Sequence, residues 1–318
     1  MSPRSHLGLA RSHEPREPSF AQLGVFNAIM ISGSVSRAAK LLGMTQSAAS
    51  KMLRQLEDDT GLLLFERTHQ RLVPTPQALQ LQESVEHLYG SYGVVQRLIG
   101  SLANPDHGNV TVAAIPTQAA TFIPHAIKRL RERYPGITVT LEILANQPVV
   151  DRVLNGQADF GLVHDITASP DTHNEDLGPQ HLVCVAARGH RYAGLDHVTA
   201  QDLKSETFLS YGPQTNFGSF LELAFSEAGL HMPVAVEVTS SAALLALIRA
   251  GVGVGLVEPA AIVPFPEDQF VIRPFRPSLL IRSRIVRSRI RPLTRHAGLL
   301  LDEYRAIVSA PQPGYFLD

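Results

Sequence analysis

The chain has 318 residues, 44% of them hydrophobic, a formal net charge of −1 and one cysteine. This hydrophobic content excludes a disordered chain, and the near-neutral balance excludes a polyanion binder acting through its whole surface, though not a small local basic module. The lone Cys184, in the apolar run 182–187, excludes an internal disulfide framework, fits a reducing compartment and reads as a buried strand residue rather than a nucleophile.

The length suggests two domains. No apolar stretch approaches the roughly 20 residues that a membrane span needs. Residues 1–19 carry Arg, His, Pro and Ser without an apolar core, so a flexible tail is expected there rather than a secretion signal, and a cytoplasmic protein by default.

Phe20 to Ile31 predicts a first helix, with Leu23, Phe26, Ile29 and Met30 on one face. Gly33 breaks it, and Ser34 can cap a second helix, Val35 to Leu42, in which small alanines permit close packing. Gly43-Met44 makes a tight turn, Thr45 can cap a third helix, and Gly61 stands where a C-cap glycine is preferred. Two short helices about a glycine turn predict a helix-turn-helix.

The third helix has two faces. Ala48, Ala49, Met52, Leu53 and Leu56 repeat at helical spacing toward a core, leaving Gln46, Ser47, Ser50, Lys51 and Arg54 opposite. Short hydrogen-bonding groups followed by cations suit a helix lying in a DNA major groove. Read alone, the pattern fits an ordinary amphipathic surface helix equally well. Its neighbours favour the groove. Leu63 to Val73 can pair as a hairpin wing that would set Arg67, His69 and Arg71 near phosphate or the minor groove. The DNA-binding domain is expected over 20–75, with Ser34 and Thr45 at its helix starts also near DNA.

Thr75-Pro76 starts a long helix over 76–104. Its apolar residues Leu81, Val85, Leu88, Tyr92, Val95, Ile99 and Leu102 alternate at spacings of four and three, a heptad seam that most simply pairs with a second copy, the alternative being packing along its own domain. From Val110 the rhythm becomes α/β, with alternating strands and helices in two units, which predicts mainly parallel sheets and a cleft between two lobes. The first lobe is expected at about 108–180 and 280–308, the second at about 181–279, within an effector-binding domain of 108–310.

Phe26, Gly33-Ser34, Ala38-Ala39, Leu42, the run 45–50, Leu56-Glu57, Gly61, the run 64–67 and Thr75 stand together at fixed spacing. In this the chain resembles the LysR-type transcriptional regulators, from about Phe20 to about Val308. It departs from them at Ser47, where proline is frequent, and at Ala78, where glycine is common. The resemblance implies a winged helix-turn-helix, a dimerising linker helix and a two-lobed effector domain like a periplasmic binding protein. It also implies homodimers or homotetramers on double-stranded operator DNA and contact with RNA polymerase. Within the family, the effector domain is most similar to the branch of the diaminopimelate-decarboxylase activator and the opine-responsive regulators. The matching pieces are Ile115-Pro116-Thr117-Gln118, Glu237 with Ser240-Ser241-Ala242, and Arg249 to Gly253 ahead of Val257-Glu258-Pro259. That similarity implies an amino-acid-like effector.

Ligands of α/β domains meet helix N-termini beyond the strand ends. Thr117-Gln118, Thr239-Ser240-Ser241 and Thr215-Asn216 are placed to bind a carboxylate there, although Ser240 and Thr215 serve equally well as plain N-caps. Asn146-Gln147 would close one side of the cleft. His164-Asp165 and Glu258 follow strands, where an acid would meet a ligand ammonium. Phe217 reads as lid or core.

No catalytic constellation, metal-ligand spacing or cofactor motif stands out, so neither an enzyme nor a cofactor is expected. A solute-binding protein built on the two lobes is the alternative, but it leaves the first 100 residues without a purpose. The arginines at 282, 284, 287, 289, 291 and 295 read as a solvated edge or as a contact with another subunit, polymerase or DNA.

Overall fold

Ser19 opens the first helix by accepting from the Gln22 N–H at 3.2 Å, while the Gln22 side chain accepts from the Ser19 N–H at 2.6 Å. This capping box starts α1 (Phe20–Ser32), which ends at Gly33 in the left-handed conformation, φ 68°. The computed structural model describes residues 16–68, 71–103, 107–164, 169–227, 229–230 and 232–310. The chain divides into two units, residues 1–90 and 91–318.

In the first unit, Ser34 caps α2 (Val35–Leu41) and Thr45 caps α3 (Gln46–Thr60), each through its side-chain oxygen. The core joins Val25, Phe26 and Ile29 of α1, Ala38 and Ala39 of α2, and Ala49, Leu53 and Leu56 of α3. β1 (Phe65–Thr68) and β2 (Arg71–Pro74) form the expected antiparallel hairpin. Glu57 of α3 accepts from the Leu64 and Phe65 N–H groups at 2.9 and 3.2 Å, which fixes the hairpin's entry to the helix. Its exit is fixed by Thr75. This side chain donates to the Leu63 carbonyl at 2.8 Å and accepts from the Ala78 N–H at 3.2 Å, in the first turn of α4 (Pro76–Ala103).

The seam of α4 is only partly covered. Val85 is buried against the first unit's core with Leu81 packed beside it, whereas Leu88, Val95 and Ile99 are exposed.

In the second unit, β3 (Gly108–Ala114) is followed by α5 (Pro116–Thr121) and α6 (Ile123–Arg133). The helical run after β3 is therefore broken at Phe122. β4 (Ile137–Ile143), α7 (Asn146–Leu154), β5 (Phe160–His164) and β6 (Thr172–His181) complete the first lobe's forward run. The chain then builds β7 (Val183–Ala187), β8 (Val198–Thr199), α8 (Ala200–Lys204) and β9 (Phe208–Tyr211). α9 (Asn216–Glu227), β10 (Val236–Val238), α10 (Ser241–Arg249), β11 (Val254–Val257) and β12 (Phe270–Arg276) finish the second lobe. β13 (Leu280–Ser288) and α11 (Arg295–Val308) return to the first.

The two sheets have strand orders β4-β3-β5-β13-β6 and β10-β9-β11-β7-β12-β8. Both are mixed rather than mainly parallel. β13 runs antiparallel to β5 and β6, and β7 antiparallel to β11 and β12. Each departure follows a strand that arrives from the other lobe, so no right-handed βαβ crossover dictates its direction. Each sheet has its own apolar core, Phe160, Leu162, Leu300 and Tyr304 among others in the first lobe and Val185, Phe208, Leu244 and Leu256 in the second. Cys184 lies in the second core, 1% exposed, and burial pushes its thiol far up, as a strand residue requires.

Three of the arginines in and just after β13 are held locally. Arg282 donates to Asp176 at 2.8 Å, Arg287 meets His173 at 3.3 Å and Arg289 reaches the Thr172 carbonyl at 3.5 Å. The exposed ion pair among these contributes little stability in water.

Candidate functional site

In the first unit, capping decides where the polar face of α3 points. Thr45 and Ser47 share a hydroxyl–hydroxyl hydrogen bond of 3.1 Å, and the Arg54 guanidinium reaches back to the Ser50 carbonyl at 3.3 Å. Thr45, Gln46, Ser47, Lys51 and Arg54 are exposed, and Ser50 is half-buried. The apolar face is consumed by the core, so this row of donors and cations is what α3 presents to solvent. Ser34 is occupied, accepting from the Arg37 N–H and Nε at 3.1 and 3.3 Å. The strands that carry Arg67 and Arg71 pair as expected, but the two side chains lie outside the described residues, as does His69.

In the second unit a cavity of about 700 Å³ opens between the lobes. The first lobe contributes Thr117, Asn146 and His164 to its wall, and the second contributes Thr215, Asn216, Phe217, Thr239, Ser240 and Glu258. Sequence reading also named Gln118, Gln147 and Asp165. Gln118 is turned away into the first lobe, donating from Nε2 to Ser283 at 2.9 Å and accepting from the Tyr304 hydroxyl at 2.6 Å. Gln147 is exposed and donates to Asp151 at 2.9 Å, one helical turn on. Each follows a wall residue, Thr117 or Asn146, by one step along its helix, which rotates the side chain off the cleft. Asp165 lies outside the described residues.

Several wall residues spend their polar groups on structure. Thr215 donates to the Gly212 carbonyl at 2.8 Å and accepts from the Gly218 N–H at 2.9 Å, and Ser240 accepts from the Ala243 N–H at 3.3 Å. Both are N-caps. Asn146 is consumed by the main chain of His164 through hydrogen bonds of 2.8 and 3.1 Å. Phe217 is wall and core at once, its ring 4.5 Å from that of Tyr211.

The chemistry gathers at Glu258. This residue follows β11 and is 2% exposed. Its Oε1 accepts from the Thr117 hydroxyl of the first lobe and from the Ser241 hydroxyl of the second, the latter at 3.0 Å. Tyr211 extends the chain, donating to Ser241 at 2.9 Å. His164 Nε2 stands 3.9 Å from Oε1. This is the spacing of an ion pair, but burial holds the His164 pKa down to about 4, so the imidazole is neutral near pH 7. Burial likewise raises the Glu258 carboxyl, against the hydrogen bonds from Thr117, its own N–H and Ser241, which lower it. Glu258 Oε2 and His164 Nε2 have no hydrogen-bond partner. Tyr211 escaped sequence reading as a site residue, whereas Ser241 was marked with its loop. The run 208–211 is too short to announce a strand, and nothing local marks its last residue as cleft-facing.

Residues 20–79 match the bacterial regulatory helix-turn-helix protein, lysR family, and residues 103–308 match the LysR substrate binding domain. The transcriptional activator protein LysR of Escherichia coli K12 is 29% identical over 290 residues, covering 91% of this chain and 92% of that protein. The octopine catabolism/uptake operon regulatory protein OccR of Rhizobium meliloti is 30% identical over 254 residues, 80% of this chain and 84% of its own length. Among solved structures, a full-length OxyR variant from Pseudomonas aeruginosa has a TM-score of 0.72 at 19% identity, covering 94% of this chain and 100% of that one. CbnR complexed with its target DNA has a TM-score of 0.68 at 19% identity, covering 91% and 99%. These last two likenesses establish the fold. With both domains matched in order and a relative at 30% identity over four-fifths of its length, the chain belongs to the LysR family of ligand-responsive, DNA-binding transcription regulators, which are not enzymes.

Proposed function

We propose that residues 20–75 read operator DNA through the exposed face of α3, that residues 76–104 pair two or four copies, and that residues 108–310 take a small amino-acid-like effector between their lobes. The observation carrying this reading is the interlobe cavity, in which the starts of α9 and α10 and the polar groups of the first lobe converge on one space. Neutral donors on the second lobe suit a ligand carboxylate, and Glu258 suits its amine. The exposed Leu88, Val95 and Ile99 of α4 support self-association. The OccR relative, named for octopine catabolism, supports an amino-acid-derived effector. On this reading the protein works in the cytoplasm beside its DNA and meets RNA polymerase there. Among the described residues no helix is long and apolar enough to cross a membrane.

Two measurements test it. A gel shift with the intergenic DNA upstream of the chain's own gene should give salt-sensitive, sequence-selective binding, and its absence would sink the regulator reading for this DNA. A thermal-shift screen of a broad small-metabolite library should find a ligand that raises Tm, because a ligand of the folded state stabilises it. If no compound does so, the effector reading fails. A solute-binding protein would need none of the DNA-facing features of α3.

A further inference from the structure

We infer that Glu258, with His164 beside it, is the anchor for a cationic side-chain nitrogen of the effector, and that seating this cation expels a proton from the cleft. The inference rests on the effector reading above and narrows it to one chemical class, with a pH dependence attached.

Three observations carry it. First, Glu258 and His164 both belong to the cavity wall, are 2% and 7% exposed, and each holds an unpartnered polar atom, Oε2 and Nε2. Buried polar atoms are nearly always paired, so such a pair on a ligand-sized cavity marks a place where the partner comes from outside. Second, the charge balance of the wall is one-sided. Among the described residues no lysine or arginine lines the cavity, and Glu258 is its only carboxylate. A purely anionic ligand would face that carboxylate with neutral donors alone. A guanidinium or ammonium would supply the missing counter-charge where water is excluded and the attraction is strong. Third, Thr117 and Ser241 hold Oε1 from both lobes, so Oε2 stays turned to a fixed place.

The surroundings of Glu258 explain the proton. β5 presents His164, held neutral by burial, and β9 presents Tyr211, whose hydroxyl is pushed well above its ordinary value. α5 and α10 present only the hydroxyls of Thr117 and Ser241. On β13 neither Arg282, which is bonded to Asp176, nor Arg284 lines the wall. Among the described residues no permanent cation therefore faces the carboxyl, and burial raises its pKa in the empty cleft. An arriving cation favours the carboxylate, so a proton held on the carboxyl leaves to bulk water as the ligand's N–H groups bond Oε2.

The test uses the full chain, thermal shift and calorimetry, with L-lysine, L-ornithine, L-arginine, putrescine and octopine as cationic probes. L-Norleucine and L-citrulline, which keep the α-ammonium but lack the side-chain cation, and succinate serve as counterparts. At least one probe with a side-chain cation should raise Tm while its counterpart without that cation and succinate do not. Its calorimetric heat should differ between phosphate and Tris by the ionisation heat of a released proton. Affinity should rise with pH by up to about tenfold per unit while Glu258 is protonated in the empty state. Glu258→Gln preserves size and the hydrogen bonds from Thr117 and Ser241. It should leave the empty protein folded, weaken the cation at least about tenfold and abolish the proton release. Equal shifts by L-arginine and L-citrulline, binding of succinate instead, undiminished binding by the variant, or no shift by any cation would each overturn the inference. The effector reading falls only if the metabolite library also fails to shift Tm.

Discussion

Asn146 and His164 are tied by two reciprocal hydrogen bonds, Nδ2 donating to the His164 carbonyl at 2.8 Å and the His164 N–H donating to Oδ1 at 3.1 Å. His164 faces Ser283 of β13 on one side, and a side chain at the start of α7 thus stands where the β3 ladder has already ended on the other. Asn146→Ala strips both groups of their partner inside the protein. A loss of about 2–4 kcal/mol is expected, the combined cost of two unsatisfied main-chain groups. Urea denaturation checks it, and a loss below about 0.5 kcal/mol would show that water replaces the amide.

His164 makes stability depend on pH on the acid side. Its folded pKa, about 4, lies below the ordinary 6.5 because burial disfavours the charged form. The unfolded chain therefore binds the proton first, and stability present above pH 6.5 is lost as pH falls toward 4. At most about 3 kcal/mol disappears over that window. Glu258 works in the opposite sense. Its raised pKa makes stability fall as pH rises out of the ordinary carboxylate range. Denaturation midpoints between pH 4 and 7.5 should show a flattened acid limb for His164→Asn and a gain toward neutral pH for Glu258→Gln.

Gly218 sits one turn into α9, and an added Cβ there would lie 2.7 Å from the Gly212 carbonyl carbon and 2.8 Å from the Tyr211 carbonyl oxygen. Those obstacles are main chain and cannot turn aside. Gly218→Ala should lift the start of α9 off the loop after β9, lower stability by about 1–3 kcal/mol and weaken whatever binds between the lobes. Unchanged Tm and unchanged ligand affinity together would contradict this packing.

Lys51→Ala and Arg54→Ala should each weaken operator binding about five- to tenfold and lower the slope of log affinity against log salt by about one, leaving the oligomer intact. Fluorescence anisotropy at several salt concentrations reads both quantities. Dissociation of the oligomer instead would place α3 at a protein interface.

Val95→Glu and Ile99→Glu alter exposed positions on α4, so the fold should tolerate them. The association constant of the oligomer should fall at least about tenfold, read by analytical ultracentrifugation, because two carboxylates would be brought together across the pairing seam. No change would show that this face is not the one used.

The first unit was largely legible because its signals are local. Ser34 and Thr45 cap the helices they precede, and Gly61, φ 70°, ends α3 as a C-cap glycine does. The second unit was legible only in outline. β6, with the sequence THNEDLGPQH, has neither β-branched enrichment nor alternation, and is a strand because β13 pairs with it along most of its length. β12 contains Pro274, which argues against a strand in isolation, yet it pairs with β7 through five positions. In the cleft, sequence marked the loops correctly more often than the side chains. Whether Thr117 or its neighbour Gln118 faces the cavity depends on the angle at which α5 leaves β3, and no local residue sets that angle.

The Thr75 hydroxyl deserves a mechanical description. One oxygen holds the end of the hairpin at the Leu63 carbonyl and the first turn of α4 at the Ala78 N–H. The joint between hairpin and rod is thereby clamped from both sides, while Glu57 ties the other end of the hairpin to α3. A twist of the first turn of α4 then has a bonded route through the hairpin to α3 in place of a slack linker.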